Sequence, residues 1–269
     1  MSNTDGFRMN GTTGELFVAT WTDDVGEFTA LVAHGIAEHS GRYGHVAERL
    51  ISSGATAVYA PDHLGHGQSA GERSVIADVD VMVADLRLVA ERLRADHPGL
   101  PLVLVGHSLG GIIATRYAQL HREELSALVL SAPVIGGNPG FEALLAMDPM
   151  PEVPIDPAAL SRDPTVGAAY LADPLIYHGP LSRTTLGAIF GSVAAIADGP
   201  DLGDLPTLWV HGENDPLAPY DATGKAFEHV GGTALQQKVY PGAMHEIFNE
   251  TNNDEVLDDV ASFLDEVFS

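Results

Sequence analysis

Cysteine is absent from the 269 residues, which excludes disulfides and thiolate metal sites. Basic residues are scarce, 13 against 37 acidic, for a formal charge of −24. Such a surface repels phosphate backbones and anionic headgroups, so nucleic acid is excluded as an expected partner. The acidic residues lie along the whole chain and form no tail. They suit a solvated, self-repelling surface, or one adapted to high salt, where screening relieves the repulsion. No run of eighteen apolar residues occurs, so no spanning helix is expected. The opening MSNTDGFRMNGTTGE lacks a basic start and an apolar stretch. It does not read as a secretory signal, so a cytoplasmic location is expected, with secretion left open. Internal repeats and low-complexity tracts are missing as well.

What is present is a chain long enough for one large domain, with 45% hydrophobic residues to build a core. Short β-type runs recur at 17–21, 28–33, 57–60, 102–105, 127–130, 208–210 and 237–240. Several are continuously apolar, as strands covered on both faces should be. Helical periods lie between them, at 43–53, 78–95, 109–121, 221–230 and 255–268. In 78–95, Val79, Met82, Leu86, Val89 and Leu93 fall on one stripe. Strand alternating with helix predicts an α/β fold with a mostly parallel central sheet and helices on both faces. The alternation breaks after Pro133. Pieces of helical size follow at 141–147 and 186–197, without a convincing strand, and the β pattern resumes near Leu205. The expected organisation is a core of 1–134 and 201–269, interrupted by a cap at 135–200 over the carboxyl edge of the strands.

Gly106-His107-Ser108-Leu109-Gly110 has the form G-x-S-x-G, with an apolar run before it and a helical pattern after it. That setting is what a nucleophile elbow requires: a tight turn that lifts the serine hydroxyl clear of the sheet. The Leu109 amide, at a helix start, should face a developing oxyanion. A serine hydroxyl needs an adjacent base. In chain order the partners should follow as an acid and then a histidine, each after a strand. Among twelve histidines, His245 sits just past the last strand candidate, and Asp215 just past the one before it. Glu213 is the alternative acid. A second oxyanion donor is expected from the Ile36 amide, where Gly35 lets the chain turn inward. The stretch Asp62-His63-Leu64-Gly65-His66 has metal-ligand residue types, but its spacing is not that of a helix zinc site. It reads better as a structured support loop, and no metal or organic cofactor is expected. His107 and His211 read as supporting hydrogen-bonders.

Five stretches carry a family resemblance. They are His34-Gly-Ile-Ala-Glu-His-Ser-Gly-Arg-Tyr43, Asp62-His-Leu-Gly-His-Gly-Gln-Ser-Ala-Gly-Glu-Arg73, Gly106-His-Ser-Leu-Gly-Gly111, Leu171-Ala-Asp-Pro-Leu175 and Pro241-Gly-Ala-Met-His245. With Ile155-Asp156-Pro157 and Leu160-Ser161-Arg162, they make the chain resemble the monoacylglycerol lipases, in the lysophospholipase-like branch of the α/β hydrolases. The resemblance implies an α/β-hydrolase fold, ester hydrolysis through an acyl-enzyme, and a cap offering lipids an apolar entrance in transient contact with a lipid surface. It implies that Glu38, Arg42 and Tyr170 hold glycerol hydroxyls and that Ile155 of the cap contacts substrate. Read without the family, Glu38 and Arg42 would be an exposed ion pair and Tyr170 cap packing. Hydrolysis of lysophospholipids, short esters or thioesters stays open as an alternative, as does a non-catalytic lipid-binding role. The elbow serine argues against the dehalogenases and epoxide hydrolases of this fold, which use a carboxylate there.

Overall fold

The computed structural model describes residues 5–23 and 25–269. The first four residues of the opening lie outside the described residues.

Eight strands form one sheet: β1 (Gly6–Asn10), β2 (Glu15–Thr22), β3 (Phe28–Ala33), β4 (Ala55–Pro61), β5 (Leu102–His107), β6 (Ala127–Ser131), β7 (Thr207–Gly212) and β8 (Leu235–Tyr240). Their order is β1-β2-β4-β3-β5-β6-β7-β8. The β1–β2 and β2–β4 pairs are antiparallel, and every pair from β4–β3 to β7–β8 is parallel. The expected strands therefore all form, each within a few residues of its predicted ends. β1 was not expected. Its GFRMN sequence has little β character, and its exposure alternates because it is an edge ribbon. The ladder to β2 holds it, and Phe7 and Met9 pack on the core.

The described residues form eight α-helices: α1 (Gly44–Ser52), α2 (Val79–Asp96), α3 (Leu109–His121), α4 (Pro139–Leu145), α5 (Pro164–Ala172), α6 (Arg183–Ala197), α7 (Tyr220–Val230) and α8 (Asn253–Phe268). Strand parity sorts the core into two layers. Leu31, Leu102 and Leu104 face the cluster under α2 and α3, whereas Phe28, Val32, Val103 and Val105 face the cluster under α1 and α8. The α2 stripe is buried as its period requires, and the Asp78 carboxylate caps the helix by accepting from the Asp80 amide at 2.9 Å.

Between β6 and β7 the described residues hold α4, α5 and α6 and no strand. α5 went unread in the sequence. Its signals are local, an Asp163 side chain accepting from Thr165 N and a proline in the first turn, in a stretch with no apolar stripe. α6 is not separate from the core: Ile189 and Ile196 belong to the cluster under α3. Among the described residues, no helix is long and apolar enough to cross a membrane.

The parallel strands β3, β5, β6, β7 and β8 all end on one edge. The loops that follow β3, β5, β7 and β8 carry the candidate catalytic and oxyanion residues with Glu38 and Arg42, and the connection after β6 carries Ile155 and Tyr170.

Candidate active site

The turn from β5 to α3 is tight enough to dictate its own residues. Ser108 has φ 54° and ψ −116°, a conformation that non-glycine residues rarely adopt. A Cβ on Gly106 would lie 2.4 Å from the Gly110 carbonyl oxygen, and one on Gly110 would lie 2.0 Å from that of Ala33. Both positions must be glycine for the strand, the turn and the helix start to touch. Ser108 N donates to Ser131 O at 3.0 Å, and Gly111 N donates back to Ser108 O at 3.0 Å. The serine is thus fixed on both sides of its strained residue.

His245 follows β8 after a short Pro-Gly turn, and Asp215 follows β7. His245 Nε2 lies 2.9 Å from Ser108 Oγ, and His245 Nδ1 lies 2.7 Å from Asp215 Oδ2. All three residues are buried, at 4–5% exposure. Asp215 Oδ1 accepts from the amides of Leu217 and Ala218 at 2.8 and 2.9 Å, so the carboxylate cannot swing. Glu213, the alternative acid, is exposed and accepts from Gly242 N instead. Burial presses on the charged forms of both His245 and Asp215. For Asp215 the nearby His245, together with hydrogen bonds from His211 and His245, outweighs it and holds the carboxyl well below its usual range. For His245 the charge and hydrogen bond of Asp215, with Glu246 and Glu38, outweigh burial, and its pKa rises above the ordinary 6.5. An imidazole held this way is a stronger proton acceptor than a free one, and it must be neutral to act. The acid limb of kcat/KM is therefore expected above pH 6.5, with a slope of one proton. A pH profile on an uncharged ester checks this, and a limb below pH 6 would contradict it.

His211 and His107 occupy supporting positions. His211 Nδ1 accepts from Trp209 Nε1 at 2.8 Å, which leaves Nε2 to donate to Ala218 O at 2.7 Å, beside Asp215. His107 bonds through Nδ1 to Ser131, and its ring stands 4.8 Å from that of His245. Burial first, and the neighbouring His245 second, push His107 down to about 4, so it is neutral at pH 7.

The loop after β3 wraps the other side of Ser108. Among the described residues, neither the Ile36 nor the Leu109 amide enters a loop or turn hydrogen bond, and both residues line the cavity beside Ser108. The loop is held by its polar side chains. His63 N donates to His34 Nε2 at 3.0 Å, which leaves His34 Nδ1 to donate to Gly35 O at 2.7 Å. The Asp62 carboxylate accepts from Ser40 N, Ser40 Oγ and Gln68 N. Its loop is a brace for the β3 turn.

Glu38 and Arg42 are not the exposed pair that sequence alone would suggest. Glu38 is 4% exposed and accepts from Gly35 N, Tyr43 Oη and Arg42 Nη1. Arg42 also forks onto both oxygens of Glu246 at 2.7 Å and lies with its guanidinium carbon 5.5 Å from the centre of the Tyr170 ring. A cavity opens over Ser108. Glu38, Tyr170 and Ile155 line it, and Arg42 does not. Arg42 lines a small adjoining cleft instead. Of the polar lining residues, Glu38, Glu246 and Tyr170 gather round Arg42, and His107 stands beside His245. Much of the remaining wall is apolar, supplied by residues such as Ile112, Phe141, Leu186, Ile189 and Phe190 from α3, α4 and α6.

Three supports escaped the sequence reading. Glu246 was invisible because its partner lies 204 residues away. Asn138 donates to the carbonyls of Pro216 and Leu217 and so ties the start of α4 to the Asp215 loop. Glu250, 2% exposed, accepts from Met244 N at 2.8 Å, from Thr251 N, and from Arg162 N and Nε. It clamps the residue next to His245 while holding Arg162 of the segment between β6 and β7. Because every atom facing this carboxylate is a donor, Glu250→Gln is expected to lower kcat roughly tenfold, with KM nearly unchanged. Kinetics per titrated active site check this, and an unchanged kcat would contradict it.

Residues 28–252 match the family described as Serine aminopeptidase, S33. The chain is 39% identical to a monoacylglycerol lipase of Mycolicibacterium smegmatis, over 91% of this chain and 90% of that protein. It is 33% identical to the human monoglyceride lipase, over 81% of this chain and 75% of that protein. Among solved structures it resembles a monoacylglycerol lipase of Paleococcus ferrophilus, with a TM-score of 0.80, 27% identity, and coverage of 94% of this chain and 99% of that one.

Proposed function

The chain belongs to the monoacylglycerol lipase family, within the serine aminopeptidase S33 group of α/β hydrolases, and from that premise we propose that it cleaves monoacylglycerols to a fatty acid and glycerol. One observation carries the proposal: an unbroken hydrogen-bonded line Asp215–His245–Ser108 at the wall of a largely apolar cavity.

Ser108 attacks the ester carbonyl as His245 takes its proton through Nε2. The amides of Ile36 and Leu109 receive the oxyanion, and the lack of a loop or turn hydrogen bond from either among the described residues supports that role. Imidazolium, stabilised by Asp215, then protonates the leaving glycerol oxygen. Water enters, loses a proton to the same nitrogen, and releases the fatty acid from Ser108. Asp215 fixes the tautomer with the proton on Nδ1.

The apolar wall suits one acyl chain, and the group around Glu38, Tyr170 and Glu246 suits the alcohol. Tyr170 Oη is buried without a partner among the described residues, which supports a hydrogen bond to a substrate hydroxyl. Ile155 would meet the acyl or glyceryl carbons. Arg42, committed to two carboxylates, would act by holding Glu38 and Glu246 in place. The inserted segment between β6 and β7 would act as the cap, meeting lipid surfaces transiently through exposed Met147, Val153 and Leu171. The test is turnover of monoacylglycerols from C8 to C18 beside di- and triacylglycerols and lysophospholipids. Monoacylglycerols are expected to exceed triacylglycerols by about 100-fold or more in kcat/KM, because the narrow, largely apolar space over Ser108 suits one chain. Equal rates on triacylglycerols, or a preference for lysophospholipids, would overturn the substrate assignment.

A further inference from the structure

The wall around the proposed alcohol position is charged in one sense. Glu38 and Glu246 both line the cavity and are 4% and 5% exposed. One cation answers them both: Arg42 reaches Glu38 Oε2 and both oxygens of Glu246 at 2.7 Å. Arg42 stays behind that wall, and no lysine or arginine is among the described residues lining the cavity. Two carboxylates against one guanidinium leave a net negative charge facing the substrate space. Asp215, beside His245, adds another in the resting enzyme. The field reaches the reacting centre, since Glu246 and Glu38 both favour a proton on His245. Within this group Tyr170 lines the cavity, and its Oη is buried with no partner among the described residues. Burial, with the charge of Glu38, pushes it up to about 12, so it remains a neutral dipole.

We infer that this site also hydrolyses fatty-acyl esters of small alcohols bearing a positive charge, such as quaternary amino alcohols, and discriminates against esters of anionic alcohols. The inference rests on the reading that the Glu38–Tyr170–Glu246 wall receives the alcohol. A cation there meets two carboxylates at short range in a partly desolvated site, where charge interactions are stronger than in water. An anion meets the same carboxylates as repulsion, and the Arg42 guanidinium behind them is not among the described residues lining the cavity. The chemistry is unchanged. Ser108 Oγ bonds to the acyl carbon, the bond to the amino alcohol oxygen breaks, and that oxygen takes the proton from His245. Water then cleaves the acyl-serine, giving a fatty acid and the free amino alcohol.

The experiment compares four decanoyl esters on the wild-type enzyme: glyceryl, choline, 3,3-dimethylbutyl and 2-sulfoethyl. The dimethylbutyl ester is the uncharged isostere of the choline ester, so bulk cancels between them. Each kcat/KM is divided by the ester's rate of hydrolysis in alkali to remove leaving-group reactivity. Measurements at low and high salt separate the site from the acidic surface, whose distant charges are screened. The choline ester is expected to exceed its isostere by about tenfold or more, and the sulfoethyl ester to fall about tenfold below it. That is about 100-fold across the series, or about 2.7 kcal/mol. Both ratios should persist at high salt. Glu246→Gln should bring each at least about threefold closer to unity. Ratios within twofold of unity, ratios lost at high salt, or ratios unmoved in folded Glu246→Gln would overturn the inference. Turnover of the glyceryl ester without charge discrimination sinks the inference and leaves the proposed function standing. No turnover of any ester sinks both. The wild-type series decides the matter if the variant does not fold.

Discussion

Ser108→Ala is expected to lower kcat by about 10⁴- to 10⁶-fold and to leave the fold intact. The size follows from the lack of a substitute. Ser131 Oγ is already engaged with His107, and its residue is fully buried. Water in the cavity would have to attack the ester directly, helped only by His245 and the oxyanion amides. Stability should hardly change, because alanine keeps the same Cβ at the φ of 54° and, among the described residues, the Ser108 side chain bonds only to His245. The check is steady-state hydrolysis of a p-nitrophenyl ester alongside thermal unfolding. A variant that unfolds at wild-type temperature and retains a tenth of the activity would contradict the account.

Asp215→Asn should cost about 10⁴-fold in kcat, for a reason that can be read from the donors around the carboxylate. Oδ1 accepts from the Leu217 and Ala218 amides, and Oδ2 faces His245 Nδ1. An asparagine must point its oxygen at the two fixed amides, because an NH₂ there would face two donors. Its NH₂ then faces His245 Nδ1 and donates to it. The imidazole proton is displaced to Nε2, the nitrogen that must accept from Ser108. Geometry is kept and the tautomer is wrong. The measurement is kcat per folded enzyme as a function of pH. A loss below tenfold would show that Asp215 does not set the tautomer.

The sheet and most helices were legible because parallel strands covered on both faces read as plain apolar runs, and α2 carries a stripe of helical period. β1 and α5 were not legible, since one is held by its ladder and the other by a cap and a proline rather than by any apolar period. At the site, the elbow announced itself through its glycines, which steric contact with Gly110 O and Ala33 O explains. Ser108, His245 and Asp215 could be picked from chain order and strand ends, and the structure brings these three side chains together. What joins distant segments could not be read. The Arg42–Glu246 fork spans 204 residues, and the ties from Asn138 to the Asp215 loop and from Glu250 to Arg162 span 78 to 88. A single glutamate or asparagine carries no pattern from which such a partner can be inferred. For the same reason, Glu38 and Arg42 could be taken from sequence as a solvated pair, although they are a buried support.

Covalent labelling reaches the central claim most directly. Wild-type enzyme treated with one equivalent of an alkyl fluorophosphonate, then digested and mapped by mass, should carry its adduct on Ser108. Activity should be lost in step with labelling, and labelling should follow the same acid limb as hydrolysis. Full inactivation with the adduct on another residue, or full labelling of Ser108 with activity retained, would contradict the claim that His245 activates this serine for attack.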